Sequence, residues 1–188
     1  FSPDMKYVAY VQTLINSGFK PWENSTNIWV KELATGKEVN VSKLNISDNT
    51  PAWSVDGKYL YFTSSRDGGG IFAIPAQPEA FRSTEGDFKF EKPTGAVSVD
   101  FNFTDPERRI RRLSPNGNGT SQIVSDPENG DIWFINGGDL WKMNYDGDGG
   151  RAIVGGGGVR GFSFTEDNKN IGFLQSGVPK LVDIRKPN

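Results

Sequence analysis

The sequence predicts an all-β protein built from repeated four-stranded antiparallel sheets, and three observations lead to that prediction. Residues 51–63 read as a hairpin, because Asp56-Gly57 supplies a tight turn and the run Tyr59-Leu60-Tyr61-Phe62-Thr63 is apolar or aromatic on both faces. The same order of residue types recurs three more times along the chain. Long apolar periodicity of the helical kind is absent, while 23 glycines and 11 prolines provide for many turns.

The recurring hairpin has a small hydroxyl residue, an acidic residue shortly after it, and then an apolar strand. We expect the anchoring hydroxyls to be Ser2, Ser54, Ser125 and Thr165, with one extra turn residue in the copy at Ser125. From Ser125 to Thr165 the spacing is 40 residues, within the roughly 40–45 residues of a four-stranded propeller blade. The repeat therefore predicts β-propeller blades. The residues expected to be buried between sheets are Leu60, Phe62, Ile132, Phe134, Ile171 and Phe173.

A short strand follows each hairpin and continues the predicted blade. Such runs occur at 27–30, 70–74, 139–143 and 180–184, and a further hairpin follows two of them. We expect about four blades, at roughly 1–49, 50–118, 119–158 and 159–188, which form a single fragment of a larger propeller. An insertion near 77–107 interrupts the second blade, and the clean alternation at 97–103 predicts a further strand within it.

The composition excludes several kinds of chemistry in this chain. Without histidine or cysteine it cannot build a Ser-His-Asp triad, a thiol nucleophile or a zinc site made of those ligands. We expect no catalytic residue, no metal and no cofactor. The net charge of −2 argues against nucleic-acid binding, and no apolar run is long enough to predict a membrane span. Residues 144–149 begin like a calcium loop, but Gly155 stands where that loop needs a glutamate, so a hairpin turn is predicted.

Arginines form the strongest polar feature of the sequence, at Arg108, Arg109, Arg111 and Arg112. If the run is a strand, Arg109 and Arg111 share one face and the other two share the opposite face. One interpretation is a solvated edge strand, which charge protects from pairing with another sheet. The other is an anchor for the carboxylate of a peptide, because a guanidinium binds a carboxylate through two parallel hydrogen bonds.

Two sets of motifs resemble known propeller families. The stretches PAWSVDGKYLYFTSSRDG, GIFAI and NGGDLWKMNYDGDG look like the blades of TolB-type and tricorn-type proteins. The stretch VDFNFTDPERRIRRLSPNGNG is similar to a segment of bacterial tricorn-type proteases, in which an Asp-Phe pair precedes an acidic-Arg-x-x-Arg-Leu-Ser/Thr strand. Here those positions are Asp100-Phe101, Glu107 with Arg108 or Arg109, and Arg112-Leu113-Ser114. Because Arg108 and Arg112 match framework arginines of that segment, we favour Arg109 with Arg111 as the carboxylate anchor.

The resemblance implies the non-catalytic β-propeller portion of a tricorn-type serine peptidase, which would bind or gate peptide substrates. Such proteases carry N-terminal propellers, then a PDZ-like module, then the serine peptidase domain. The implied partners are a peptide or protein and the chain's own downstream peptidase domain. An oligomer is also expected, since the end sheets of a propeller fragment are uncovered, and a periplasmic or extracytoplasmic location is favoured over the cytoplasm.

Two alternatives remain open. A TolB-like envelope propeller would bind a protein partner and belong to no enzyme. The propeller of a prolyl-oligopeptidase-type enzyme would accompany an α/β-hydrolase domain with a Gly-x-Ser-x-Gly motif. The sequence that follows Asn188 would separate the three hypotheses.

Overall fold

The computed structural model describes residues 1–14, 25–44, 46–78, 90–114 and 119–185. In these ranges the chain forms fourteen strands in four antiparallel sheets and no α-helix. The predicted all-β class is therefore confirmed. Within the same ranges, no helix has the length and apolar character that a membrane crossing requires.

The strands of each sheet are paired in the order in which they occur along the chain. Sheet 1 contains β1 (Tyr7–Leu14), β2 (Ser25–Glu32) and β3 (Glu38–Asn40). Sheet 2 contains β4 (Asp48–Trp53), β5 (Tyr59–Ser64), β6 (Gly70–Pro75) and β7 (Arg111–Ser114). Sheet 3 contains β8 (Ile123–Ser125), β9 (Ile132–Asn136), β10 (Asp139–Met143) and β11 (Arg151–Val154). Sheet 4 contains β12 (Val159–Phe164), β13 (Asn170–Gln175) and β14 (Val178–Asp183). This succession of hairpins is the strand order of propeller blades.

A hydroxyl–carboxylate pair holds the turn that precedes β5. Ser54 Oγ donates to Asp56 Oδ1 (2.6 Å) and accepts the Tyr59 N–H (2.9 Å), while Asp56 Oδ1 also accepts the Lys58 N–H (3.1 Å). The same three bonds recur in the turns before β1 and β13, which Ser2 and Thr165 begin. Short polar side chains thus satisfy the backbone donors that a tight turn leaves unpaired.

The turn before β9 differs from the prediction. Asp126 N–H donates to Asp131 O at 2.7 Å, the backbone bond that the hydroxyl residue makes in the other copies. Asp126 therefore occupies the anchoring position instead of Ser125, and the turn has no extra residue. Ser125 Oγ accepts the Val55 N–H at 3.2 Å and so ties sheet 3 to sheet 2.

Three apolar clusters fill the spaces between successive sheets. Strand β5 contributes to two of them, because Leu60 and Phe62 pack toward sheet 1 whereas Tyr59 and Tyr61 pack toward sheet 3. The burial predicted for both faces of this strand is confirmed. The six residues expected between sheets are all buried, with at most 6% of their surface exposed: Leu60, Phe62, Ile132, Phe134, Ile171 and Phe173.

The sheets converge at their first strands. Strand β4 contacts β1, β2 and β8 in addition to its partner β5, whereas the main strand contact of β7, at the other edge of sheet 2, is with β6. Sheets that meet at one edge and spread apart at the other have the radial arrangement of propeller blades. We call these the converging edge and the diverging edge.

The insertion between β6 and β7 returns to cover the junction of sheets 1 and 2, although its residues 79–89 lie outside the described ranges. Val99 and Phe101 are buried in the cluster between these two sheets. Hydrogen bonds from Val99 N–H to Asp4 Oδ2 (2.7 Å) and from Asn102 N–H to Ala76 O (2.8 Å) hold the backbone. The strand predicted at 97–103 is wrong, because alternate side chains enter the core while the backbone joins no sheet.

Candidate functional site

The four arginines do not lie on one strand. Arg108 and Arg109 belong to a short 3-10 turn, Pro106–Arg109, and β7 begins only at Arg111. The turn starts where Asp105 takes a left-handed conformation (φ 42°) directly before Pro106. The predicted alternation of all four side chains along a strand is therefore wrong.

Arg109 holds the insertion together. Its guanidinium donates to Asn102 O (2.6 Å) and Thr104 O (3.3 Å) and lies 5.7 Å from the ring centre of Phe101. Only 8% of the residue is exposed, and this burial lowers the pKa of Arg109 from its usual value. The Arg109 guanidinium, which was favoured for binding a peptide carboxylate, is thus already hydrogen-bonded to two backbone carbonyls.

Arg111 lies on the opposite face of sheet 2. It is directly across from Ala73, which is across from Tyr61, so the three residues share the face that packs toward sheet 3. Burial lowers the pKa of Arg111, while the nearby phenols of Tyr59 and Tyr61 act to raise it. The predicted pairing of Arg109 with Arg111 on one face is wrong, since Arg109 packs on Phe101 at the junction with sheet 1.

Arg108 and Arg112 are the exposed members of the group. The Arg108 side chain is 80% exposed and lies 3.9 Å from the Asp105 carboxylate. Arg112 is exposed on β7, and its Nη2 donates to the carbonyl oxygen of Gly69. All four arginines lie at or beside the diverging edge of sheet 2, away from the strands on which neighbouring sheets converge.

A second polar feature lies between sheets 2 and 3, beside β4. It is an open hollow of about 290 Å³ lined by Ser47, Asn49, Thr63, Ser64, Ser65, Gly119 and Thr120. Thr63 Oγ1 donates to Asn49 O (3.1 Å), and Ser65 Oγ accepts the Ser47 N–H (3.2 Å). Among the residues that the structure describes, Thr120 Oγ1 is buried and has no hydrogen-bond partner.

We refer to this feature as the hydroxyl hollow. Its clearest element in the sequence is Thr63-Ser64-Ser65, at the end of the apolar strand β5. Nothing in that run separates a binding surface from an ordinary turn, because the other walls come from residues 47–49 and 119–120. The hollow was therefore missed at the level of sequence.

Comparison with known proteins identifies the fold. No family model matches the chain. Over 68 residues, which are 36% of this chain and 10% of the relative, the sequence is 34% identical to YuxL of Bacillus subtilis (strain 168), a peptidase described as uncharacterized. The match to the tricorn protease structure has a TM-score of 0.73 at 15% identity and covers 99% of this chain and 21% of that one.

Other solved structures have the same architecture. TolB from Acinetobacter baumannii gives a TM-score of 0.63 at 18% identity, covering 99% of this chain and 40% of that one. A dipeptidyl aminopeptidase IV homologue from Bacteroides ovatus gives 0.52 at 13% identity, covering 92% and 29%. The chain therefore spans less than half the length of each of these proteins. These likenesses show that it has the β-propeller fold of tricorn, TolB and related proteins.

Proposed function

We propose that this chain is the non-catalytic β-propeller portion of a serine peptidase related to tricorn, and that it binds or gates peptide substrates. The observation that carries the proposal is the 34% identity with a peptidase over 68 residues, found in a chain whose fold resembles that of the tricorn protease. The chain itself has neither histidine nor cysteine, so a catalytic triad must come from elsewhere.

The hydroxyl hollow is the surface best suited to an extended peptide. Each hydroxyl can both donate and accept a hydrogen bond, and an extended peptide backbone offers alternating N–H and C=O groups that need both. Ser47 and Ser65 are the exposed hydroxyl residues of the hollow and can present such groups to a peptide. The hollow also lies beside β4, where neighbouring sheets converge.

A peptide carboxylate is better matched by Arg108 and Arg112 than by the pair favoured from sequence. Arg108 is largely exposed, and Arg112 is exposed on β7, whereas Arg109 is buried against backbone carbonyls. An exposed arginine–carboxylate contact contributes at most about 1 kcal/mol. These side chains would therefore select for a free C-terminus without dominating affinity.

The test is the binding of fluorescent peptides to the pure chain, measured by anisotropy, with free-acid and amidated versions of the same sequence. We expect Ser47→Ala with Ser65→Ala to weaken binding of both versions, and Arg108→Ala with Arg112→Ala to weaken binding of the free acid only. Ser163→Ala, at an exposed serine of β12, is the matched control. The chain should not hydrolyse any of these peptides. Absence of saturable binding would refute the proposal.

A protein-binding propeller of the TolB kind is the second candidate. It is favoured by the TolB match, which covers 40% of that chain, against 21% for tricorn. A prolyl-oligopeptidase-type parent is represented by the dipeptidyl aminopeptidase IV homologue. Sequencing the gene beyond the codon for Asn188 distinguishes the three candidates. A PDZ-like domain supports a tricorn-type peptidase, and an α/β-hydrolase domain supports a prolyl-oligopeptidase-type enzyme. The absence of both domains supports a TolB-like propeller.

A further inference from the structure

One side-chain carboxamide of the hydroxyl hollow has no partner in the described chain. Asn49 is a half-buried residue of β4 and lines the hollow. Its backbone carbonyl accepts a hydrogen bond from Thr63 Oγ1, but within the described residues its side chain makes no hydrogen bond. Its Oδ1 and Nδ2 are not buried atoms that lack a partner, so they are accessible to solvent. The carboxamide can therefore bind a ligand that enters the hollow.

The backbone directly after Asn49 is strained. Thr50 has a positive φ of 51°, and among the described non-glycine residues with positive φ it is the one that lies within a strand. A β-branched residue adopts this conformation rarely, because its side chain crowds the backbone there. Strain of this kind persists only where the surrounding structure enforces it, and it is concentrated at binding and catalytic sites. The strain at Thr50 therefore points to a functional role for this part of β4.

A β-bulge accompanies the strain and is held by hydrogen bonds. Two residues of β4, Thr50 and Pro51, face the single residue Phe62 of β5. The hydroxyl oxygens of Thr50 and Thr63 are 2.9 Å apart, and Thr63 Oγ1 lies 3.1 Å from Asn49 O. Because Thr63 donates its one hydroxyl proton to the Asn49 carbonyl, Thr50 donates to Thr63. This chain of hydrogen bonds fixes the backbone of Asn49, and with it the point from which the carboxamide extends.

A carboxamide matches the polar groups of one residue in an extended peptide. In an extended chain the N–H and C=O of the same residue point to the same side, which is why facing residues of antiparallel strands exchange two hydrogen bonds. An asparagine side chain offers the acceptor Oδ1 and two donor hydrogens on Nδ2. Oδ1 can accept the N–H of a peptide residue while Nδ2 donates to the carbonyl of that residue. Ser47 also lines the hollow and is exposed, so its hydroxyl extends the same polar surface.

The insertion covers the opposite end of the sheets. Its Val99 N–H binds Asp4 in the turn before β1, and its Phe90 packs on Gly130 in the turn before β9. The hollow is formed instead where β4 begins and β5 ends, next to residues 119–120 before β8. The beginning of β4 is the end of sheet 2 that lies away from the turn before β5. The described part of the insertion therefore does not obstruct the hollow.

We propose that Asn49 anchors a bound peptide by these two hydrogen bonds, and that Thr50 is the positioning residue that holds Asn49 in place. The inference rests on the proposed function and adds a requirement on the ligand. The peptide is extended at the anchored residue, and that residue has a backbone N–H, so proline is excluded at this position. Because the strained backbone is already fixed, the site loses little conformational entropy when a peptide binds.

The first experiment measures, by anisotropy, the binding of the fluorescein-labelled peptide Ser-Ala-Leu-Ala-Thr-Ala and of the same peptide N-methylated at every residue. We expect the wild type to bind the unmodified peptide about tenfold more tightly, because N-methylation removes the N–H groups. Asn49→Ala should weaken binding of the unmodified peptide and leave binding of the N-methylated one unchanged. Asn170→Ala, at a half-buried asparagine of β13, is the matched control and should behave like the wild type.

The second experiment tests the positioning role of Thr50. Glycine adopts a positive φ without strain, so Thr50→Gly should not lower the midpoint of thermal unfolding. The same variant should bind the unmodified peptide about fivefold more weakly, because Asn49 is less firmly held. Thr50→Ser keeps the hydroxyl and should bind like the wild type. Ser176→Gly changes a residue with the same φ of 51°, in the turn before β14, and should leave peptide binding unchanged.

The outcomes separate this inference from the proposed function. If the wild type shows no saturable binding of the unmodified peptide, both are refuted. If the wild type binds and Asn49→Ala binds equally well, or loses affinity for both peptides alike, the anchor is wrong while the proposed function stands. If Thr50→Gly lowers the unfolding midpoint together with the affinity, or changes neither, Thr50 has no positioning role.

Discussion

At the scale of single residues, one turn motif makes different tertiary contacts in different sheets. Ser2–Asp4, Ser54–Asp56 and Thr165–Asp167 make the same internal bonds through Oδ1 of the aspartate. In the first two, Oδ2 reaches beyond the turn: Asp4 accepts Val99 N–H of the insertion, and Asp56 accepts Tyr145 Oη at 2.7 Å. The repeated motif thus both shapes a turn and links separate segments of the chain.

The insertion should therefore loosen in acid. Burial acts to raise the pKa of Asp4, but hydrogen bonds from Val99, Ser2 and Lys6 outweigh it and lower the pKa from 3.8 to about 2. A carboxyl group with a lowered pKa in the folded state stabilises the fold above its unfolded pKa, and this contribution is lost as the pH falls from about 4 to about 2.

The substitution Asp4→Asn tests that contribution. At pH 7 we expect the free energy of unfolding to fall by about 1–3 kcal/mol, because the Val99 N–H loses a charged acceptor. The difference from wild type should shrink below pH 4, as measured by urea unfolding at several pH values. Asp167→Asn changes the same turn position where the carboxylate is exposed, and should have a smaller effect. A difference that does not depend on pH would contradict this explanation.

The contribution of Asp126 to stability should depend on pH in the opposite direction. Only 1% of this residue is exposed, and burial raises the pKa of its carboxyl group. The raised pKa means that the charged form costs stability at neutral pH, and that this cost disappears as the pH falls through the folded pKa. Asp126→Asn keeps an oxygen to accept the Glu128 N–H and removes the charge. We expect Tm to rise by roughly 2–4 °C at pH 7 and the gain to diminish in acid, as measured by calorimetry. A lower Tm at pH 7 would show that the charge is stabilising.

At the scale of elements, a buried ion pair of sheet 2 lies at the junction with sheet 1. Arg66 Nη2 lies 3.2 Å from Asp48 Oδ2, with 11% and 0% of the two side chains exposed. The same guanidinium lies 5.4 Å from the ring centres of both Phe62 and Phe72. It also donates to Ser42 O, which follows β3 of sheet 1, at 3.4 Å.

Removing the positive charge of Arg66 should lower the free energy of unfolding strongly. Arg66→Met leaves Asp48 buried without its partner, and we expect the free energy of unfolding to fall by about 3–5 kcal/mol. Arg185→Met breaks a pair with Asp183 in which the arginine is 60% exposed, and should have a much smaller effect because solvent screens an exposed pair. Adding Asp48→Asn to Arg66→Met should recover part of the loss. Equal effects of the two arginine variants in urea unfolding would rule out the buried pair as the cause.

The strands were predictable where burial leaves a clear pattern, and the site was not. Tyr59 to Phe62 is apolar on both faces because the strand lies between two sheets, and sequence shows this directly. Alternation at 97–103 reflects burial of every second side chain, but it cannot show whether the backbone has a partner strand. The opposite directions of Arg109 and Arg111 depend on the turn at Asp105-Pro106 and on neighbouring strands, which no local pattern contains.

At the scale of the whole molecule, stability is distributed along a row of sheets. The three apolar clusters lie between successive sheets, so each sheet depends mainly on its neighbours, as in repeat proteins. Inner sheets have support on both sides, whereas sheet 4 has it on one side within the described chain.

Hydrogen exchange should reveal this gradient. The buried central strands β5 and β9 should be the most protected, and β14 the least, because it is mostly exposed and its outer edge has no partner strand in the described residues. Equal protection of β5 and β14 would indicate that the chain opens only as one unit.

The insertion between β6 and β7 also affects the order in which the chain folds. Short turns join strands β4, β5 and β6, whereas residues 76–110 separate β6 from β7. Closing a loop of that length costs roughly 2–3 kcal/mol more in conformational entropy than closing a hairpin. Until then the edge of β6 is open, and the β7 of another molecule can form the same ladder. Strand exchange between chains therefore competes with correct closure, and the yield of refolded monomeric units should fall as the protein concentration during refolding rises.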